Sequence, residues 1–307
     1  MSQVQPVAAE QTGASLEAIQ HHYDLSNRFY SLWLDSNMMY SGAFYIRDND
    51  SLEQAQQQKL DYHIGQAHVP DNGRLLDIGC GWGGLLRRAL ETNQLSAAVG
   101  ITLSQAQADY IQDSGVKGMQ ASVTNWQDYQ PEQKFNSIIS IGAFEHFAQI
   151  EYSEQEKTEA YRKFFRRCQD DFLEPGGYMS LQTFAYGSKD SRDQVVNREG
   201  TQFLAREIFP ETDPPHLSNI IAALQTHFEV VALRNDREHY ALTLKEWLKR
   251  LKSNRSEAVA LVGEEEVNRY ERYLQYSYIG FKNAGLDLYR ITLRRLDKPW
   301  RKKGALS

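Results

Sequence analysis

The chain has 307 residues, 41% of them apolar and 24% charged, which is ordinary globular usage and excludes a collagen-like, low-complexity or wholly disordered protein. With 34 Lys and Arg against 40 Asp and Glu the net charge is −6, so the broad basic footprint of a nucleic-acid binder is missing. Two cysteines, Cys80 and Cys168, exclude a disulfide framework or a Cys-rich zinc site; no apolar run approaches the roughly 18–20 residues of a bilayer span and no secretory signal is visible, so a cytoplasmic protein is expected.

Residues 1–15 read as a frayed polar terminus. Leu16 to Leu34 carries Leu16, Ile19, Tyr23, Phe29, Tyr30 and Trp33 at helical spacing, with Ser26-Asn27 opening a second short helix. Tyr40 to Ile46 is aromatic-rich, and Ser51 to Ile64 is a helix that opens on Ser51 and Glu53. From Arg74 the chain alternates: strands are expected at 74–79, 96–103, 119–123, 136–143 and 178–185, and helices at 84–93, 104–115 and about 154–173, the last stopped by Glu174-Pro175-Gly176-Gly177. Strands separated by helices imply a mostly parallel, doubly wound sheet covered on both faces. Residues 186–215 break the alternation and read as an excursion or lid. A helix at 217–228, a strand at 229–236, a long helical stretch at 244–283 and an edge or antiparallel strand at 286–296 complete the chain.

The strongest local motif is Leu75-Leu76-Asp77-Ile78-Gly79-Cys80-Gly81-Trp82-Gly83-Gly84, which follows a strand and opens a helix. Glycines there let a ligand approach the backbone and leave helix N–H groups free to bind. Gly79, Gly81 and Gly84 also satisfy the dinucleotide spacing, but that reading needs an acid at the end of the second strand, and none stands between Gly100 and Ala108. Asp77 before glycines at every second position instead resembles the nucleoside loop of S-adenosylmethionine (SAM) methyltransferases.

The segments HYDLSNRFYSLWLD (22–35), MYSGAFY (39–45), LLDIGCGWGGL (75–85), GITLSQAQ (100–107), SIGAFEHF (140–147), IFPETDPP (208–215) and HYALTLKEW (239–247) together resemble the cyclopropane fatty-acid and mycolic-acid cyclopropane synthases. These are SAM-dependent enzymes acting on alkenes, with relatives that methylate carbon or nitrogen of small molecules. The resemblance covers roughly residues 20–295. It implies a class I, Rossmann-like seven-stranded SAM methyltransferase domain at 65–307, with an N-terminal helical extension at 1–64 covering the active site and a lid at about 186–215. It also implies that Tyr40 and Ser41 close over the methionine end of SAM and that Gly79 and Gly81 lie against its amino-acid portion, with Asp77 before them among the cofactor-binding residues. Thr102, Leu103 and Gln107 would hold the ribose and adenine side, Trp126 and Gln127 would flank the adenine, and Ile141 would line the pocket.

In the family a bicarbonate ion, gripped by a Cys, a Glu, a His and a Tyr, supplies the base for ring closure. Here Glu145 and Tyr240 match, whereas Gly42 stands at the cysteine position and Gln182 at the histidine position. Glu145, Tyr240 and Gln182 are therefore the candidate catalytic residues, and weak bicarbonate dependence without ring closure is the expected outcome. About nine extra residues between His146 and the strand at 178, including 151–156, stand near the pocket mouth or form a solvated loop.

His146 reads as a packed histidine, Cys80 as a packed thiol, and His21 and His22 lack a metal-ligand partner at i+4, so no metal is expected. The basic C-terminal third, including Lys245, Lys249, Lys252, Arg294, Lys298, Arg301 and Lys302, is a solvated face or a contact for acidic headgroups or an acyl carrier. The leading expectation is C-methylation of an unsaturated, largely apolar small molecule or acyl substrate. Lipid cyclopropanation, N-methylation and a non-catalytic lipid or nucleoside binder are the alternatives.

Overall fold

The structure, a computed structural model, describes residues 27–187, 189, 194, 197–209 and 212–297. The expected helix over 16–26 with Tyr23, the His21-His22 pair, parts of the 186–215 excursion and the Lys298–Lys302 tail lie outside the described residues.

A short helix, α1 (Asn27–Ser31), is followed by α2 (Leu52–Gln66). Ser51 caps α2: its Oγ accepts from the Gln54 N–H and the Gln54 side chain accepts from the Ser51 N–H, so the residue that closes the box is Gln54 and not Glu53. The alternating region supplies β1 (Arg74–Ile78), α3 (Gly84–Thr92), β2 (Ala97–Thr102), α4 (Gln105–Asp113), β3 (Met119–Val123), β4 (Phe135–Ile141), α5 (Glu154–Arg167) and β5 (Leu173–Tyr186). Then come α6 (Glu199–Glu207), α7 (Leu217–Leu224), β6 (Phe228–Asn235), α8 (Arg237–Ser253), α9 (Arg255–Val262), α10 (Glu264–Lys282) and β7 (Leu286–Arg295). Among the described residues no helix is long and apolar enough to cross a membrane.

The sheet order is β3-β2-β1-β4-β5-β7-β6. β1 to β5 pair in parallel and β7 runs antiparallel to both β5 and β6. The order reverses between β1 and β4, and open sheets of this kind place ligands beyond the strand C-termini at such a point. Asp77 near the end of β1 sits beside Gly100 of β2 and Ile139 of β4.

Two expectations are corrected. The stop at 174–177 lies inside β5: a π-helical turn (Cys168–Phe172) ends the helix, and the β4–β5 register shifts between Phe135 and Ser137 to accommodate the Pro-Gly-Gly run. The long helical stretch is three helices, broken at Asn254 and Gly263 and starting earlier, at Arg237. Of the two readings of 286–296 the antiparallel one holds: β7 is an interior antiparallel strand, buried over most of its length, and β6 takes the edge.

Two apolar clusters matter for the site. One fills the sheet and its flanking helices α5 and α7, with Phe144, Tyr161, Phe164 and Phe165 at its centre. The other joins Phe29, Tyr30, Trp33, Trp247, Tyr270 and Tyr273, so the N-terminal segment is packed by aromatic edges and faces onto α8 and α10.

Candidate active site

β1 ends at Ile78 and the chain turns through Gly79 to Gly83 into α3. Gly81 has φ of +53°, and a Cβ built there meets no heavy atom within 4 Å. The backbone therefore faces open space in a conformation that favours glycine. This turn, the end of β2, the segment after β4 and residues 38–41 enclose a first cavity. Asp77, Gly79, Gly81 and Ile141 line it from the strand ends; Thr102, Leu103 and Gln107 line it from β2 and α4; Tyr40, Ser41 and Trp126 close it from above. The Thr102 hydroxyl donates to Gln107 Oε1 at 2.6 Å, which fixes the Gln107 amide. Gln127 is the exception: Thr124, Asn125 and Trp126 line the cavity and Gln127 does not.

A second cavity, strongly apolar, opens beside it. Phe184, Tyr186, Phe209, Tyr240, Tyr273 and Phe281 form most of its wall, with Ile150 and Thr212 at one side. The two share a partition. The Tyr40 hydroxyl, on the first cavity, is hydrogen-bonded to the Tyr273 hydroxyl, on the second. His146 Nδ1 and Thr212 Oγ1, again one from each side, are 2.8 Å apart. Burial pulls the His146 imidazole down to about 4, so it is neutral near pH 7 and is held as a strut. The Thr212 segment is itself anchored: Asp213 is paired with the buried Lys157 of α5 and accepts from the Tyr186 hydroxyl. The polar run 151–156 caps α5 through Ser153 and Glu156, and Ile150 just before it reaches the second cavity.

Glu145 lies in a single 3₁₀ turn (Phe144–His146) flanked by Ala143 and His146 of the first cavity, and itself lines neither cavity. It is buried. Oε1 accepts from the Phe184 N–H at 2.8 Å, and Oε2 has no hydrogen-bond partner among the described residues. Burial raises its pKa to about 7, against the opposing pull of backbone N–H groups and of the Thr183 hydroxyl. A carboxyl poised there, with one oxygen held and the other buried without a partner, can exchange a proton near neutral pH. Cys80 lines the first cavity, but burial pushes its thiol well up and it stays un-ionised.

Gln182 is placed differently. It lines neither cavity. Its Oε1 accepts from Arg290 Nε at 2.9 Å and faces His63 Nε2 at 3.1 Å, and its Nε2 donates to the Gly42 carbonyl at 3.3 Å. Arg290, fully buried, also donates to the Gly42 and Ala43 carbonyls and is paired with Asp236. This network holds the 40–43 segment over the first cavity. Gly42 has no space for a longer side chain: a Cβ there would sit 2.8 Å from Tyr240 Cγ and 2.9 Å from Leu288 Cδ2. Of the four side chains expected around a bicarbonate ion, only Glu145 and Tyr240 remain available. The Gln182 amide hydrogens are directed at a carbonyl, and a thiol has no room at 42. The residues present do not fit that ion.

Lys59, His63, Asp236 and Arg290 were not visible as site residues in the sequence, because their partners are 18 to 248 positions away. Phe184, Tyr273 and Phe281 carry no local motif either and are three among 17 Tyr, 13 Phe and 5 Trp.

Comparison with known proteins gives the family. The family model for mycolic acid cyclopropane synthetase matches residues 10–291. The S-adenosylmethionine-dependent methyltransferase UmaA of Mycobacterium tuberculosis is 36% identical over 291 residues, 91% of this chain and 97% of that protein. The solved structure of the cyclopropane synthase MmaA2 from Mycobacterium tuberculosis superposes with a TM-score of 0.82 at 32% identity, covering 92% of this chain and 99% of that one. That of the mycolic acid cyclopropane synthase CmaA1, complexed with SAH and CTAB, gives 0.82 at 30% identity over 93% and 100% of the two chains. The chain belongs to the mycolic acid cyclopropane synthetase family and is a SAM-dependent methyltransferase with the Rossmann-like fold of that class.

Proposed function

We propose that the first cavity holds SAM, that the second holds an apolar chain bearing an alkene, and that the methyl group is transferred to an alkene carbon without ring closure. The observation that carries this reading is the buried Glu145 carboxyl, one oxygen unpartnered and the other bonded to Phe184 of the aromatic, nearly uncharged cavity, next in the chain to His146 of the glycine-loop cavity.

SAM supplies an electrophilic methyl on a sulfonium. The alkene π pair forms the new C–CH₃ bond, the C–S pair stays on sulfur, and a cation is left on the neighbouring substrate carbon. The faces of Phe184, Tyr240, Tyr273 and Phe281 stabilise positive charge. Their apolar packing excludes water that would capture the cation. Glu145 Oε2 takes a proton from a carbon adjacent to the cation, and that C–H pair restores an alkene. The product gains one CH₂ unit and keeps its unsaturation. No step is routed through bicarbonate, for which the side chains do not fit.

The relatives divide between the names methyltransferase and cyclopropane synthase at similar identity, so the family alone leaves the fate of the cation open, and Gly42 and Gln182 favour proton loss over ring closure. CmaA1 was solved with CTAB, a long-chain amphiphile, which supports an acyl lipid or acyl-carrier substrate for the apolar cavity here. The test is release of S-adenosylhomocysteine by the purified protein with cis-unsaturated acyl chains as acceptors. Release is expected with these and not with saturated chains of the same length. Equal release with both would contradict the alkene assignment.

A further inference from the structure

Lys59 is a buried cation that methyl transfer, as described, does not use. Helix α2 turns Gln56, Lys59 and His63 inward on one face, all fully buried. Gln56 Nε2 donates to the Ser41 carbonyl at 3.0 Å and Lys59 Nζ donates to Ser41 Oγ at 2.8 Å. Ser41 lines the first cavity. An ammonium has donors only. Ser41 Oγ must therefore accept from Lys59, and its own hydrogen points elsewhere. No described residue accepts that hydrogen.

The charges around Lys59 come from three elements. Asp35, Asp77 of β1 and Arg290 of β7 all act on it, the two carboxyls favouring its charge and the guanidinium opposing it. Burial dominates and pulls Lys59 down to about 7, while burial pushes Asp77, which also lines the cavity, up to about 8. The cavity lining thus holds a hydroxyl backed by a lysine and a buried carboxyl. This polarity matches a zwitterionic amino-acid group.

We propose that Lys59 is the positioning residue for the cofactor carboxylate. It acts through Ser41, fixing that hydroxyl as a donor into the cavity and placing positive charge behind it. The inference rests on the assignment of SAM to the first cavity.

The test is calorimetric binding, at mildly acid pH where the amine is protonated, of SAM and of decarboxylated SAM. The two probes share adenosine, sulfonium and ammonium, so any change in the glycine loop, in Asp77 or in overall packing moves both; only the carboxylate differs. The native chain is expected to prefer SAM by about 10–100-fold, the worth of a charge-assisted hydrogen bond. Lys59→Met should shrink that preference to within about threefold with the decarboxylated probe little affected. Ser41→Ala, which leaves the buried lysine in place, should shrink it similarly and carries the test if Lys59→Met does not fold. An undiminished preference in either variant would overturn the proposal. A native chain that binds neither probe would overturn the cavity assignment itself.

Discussion

Gly42 and Tyr240 exclude one another's growth: a Cβ on Gly42 would stand 2.8 Å from Tyr240 Cγ, inside van der Waals contact, with Leu288 Cδ2 at 2.9 Å on the other side. The glycine is thus a packing partner of the tyrosine ring, and its lost thiol cannot be replaced without moving the second cavity's wall. Gly42→Cys is expected to destabilise the fold by about 1–3 kcal/mol, as overpacking does, and to lower turnover without conferring bicarbonate dependence. Thermal melting and turnover with and without added bicarbonate check this; a bicarbonate-stimulated variant of native stability would contradict it.

Glu145 should set the pH profile. Its pKa near 7 means that the carboxylate needed to accept a proton is depleted below that pH. kcat/KM for SAM is therefore expected to gain an acid limb near 7, and to fall again as Lys59 loses its proton at about 7. The kcat profile should lie at lower pH, since a bound sulfonium favours the carboxylate. Glu145→Gln should lower kcat by about 10²–10⁴-fold with SAM affinity retained, and should lose the acid limb.

The same carboxyl carries a stability cost. Its folded pKa of about 7 stands above the ordinary 4.5, so the folded state binds the extra proton and stability falls as pH rises from about 4.5 through 7. Glu145→Gln removes this penalty while its amide oxygen can still accept from the Phe184 N–H. The variant is expected to be more stable than the native chain by about 3 kcal/mol above neutrality and no more stable near about pH 4. Denaturant titrations at the two pH values check it.

Much of the first cavity was legible because its residues are close in sequence. Asp77, Gly79 and Gly81 stand at the end of one strand and just after it, Thr102, Leu103 and Gln107 likewise for the next, and strand-end residues of a parallel sheet converge by topology. Gln127 missed by one position on the 124–126 loop, where no periodicity fixes the facing residue. Gln182 was assigned by likeness to a histidine, but Arg290, 108 residues on, draws its amide oxygen away. The inward face of α2 was invisible for a different reason. Apolar spacing identifies a buried stripe, whereas Gln56, Lys59 and His63 are polar residues buried by specific partners on segment 39–43 and β5. The interior place of β7 could not be read either, since alternation gives exposure and not strand order.

The glycine loop makes a sharper demand. Gly81→Val would put a branched side chain into the open space in front of the backbone and force a β-branched residue to φ of +53°. Calorimetric SAM binding is expected to be lost; affinity within about tenfold of the native value would contradict the loop's role as the cofactor's backing surface.

The reaction outcome tests the central claim most directly. The product formed from a cis-unsaturated acyl chain and SAM, with and without added bicarbonate, is to be examined by mass spectrometry before and after ozonolysis. The geometry around Glu145, Gly42 and Gln182 predicts a gain of one CH₂ unit with the alkene retained and cleaved by ozone, whether or not bicarbonate is present. An ozone-resistant cyclopropane of the same mass, formed only with bicarbonate, would contradict it.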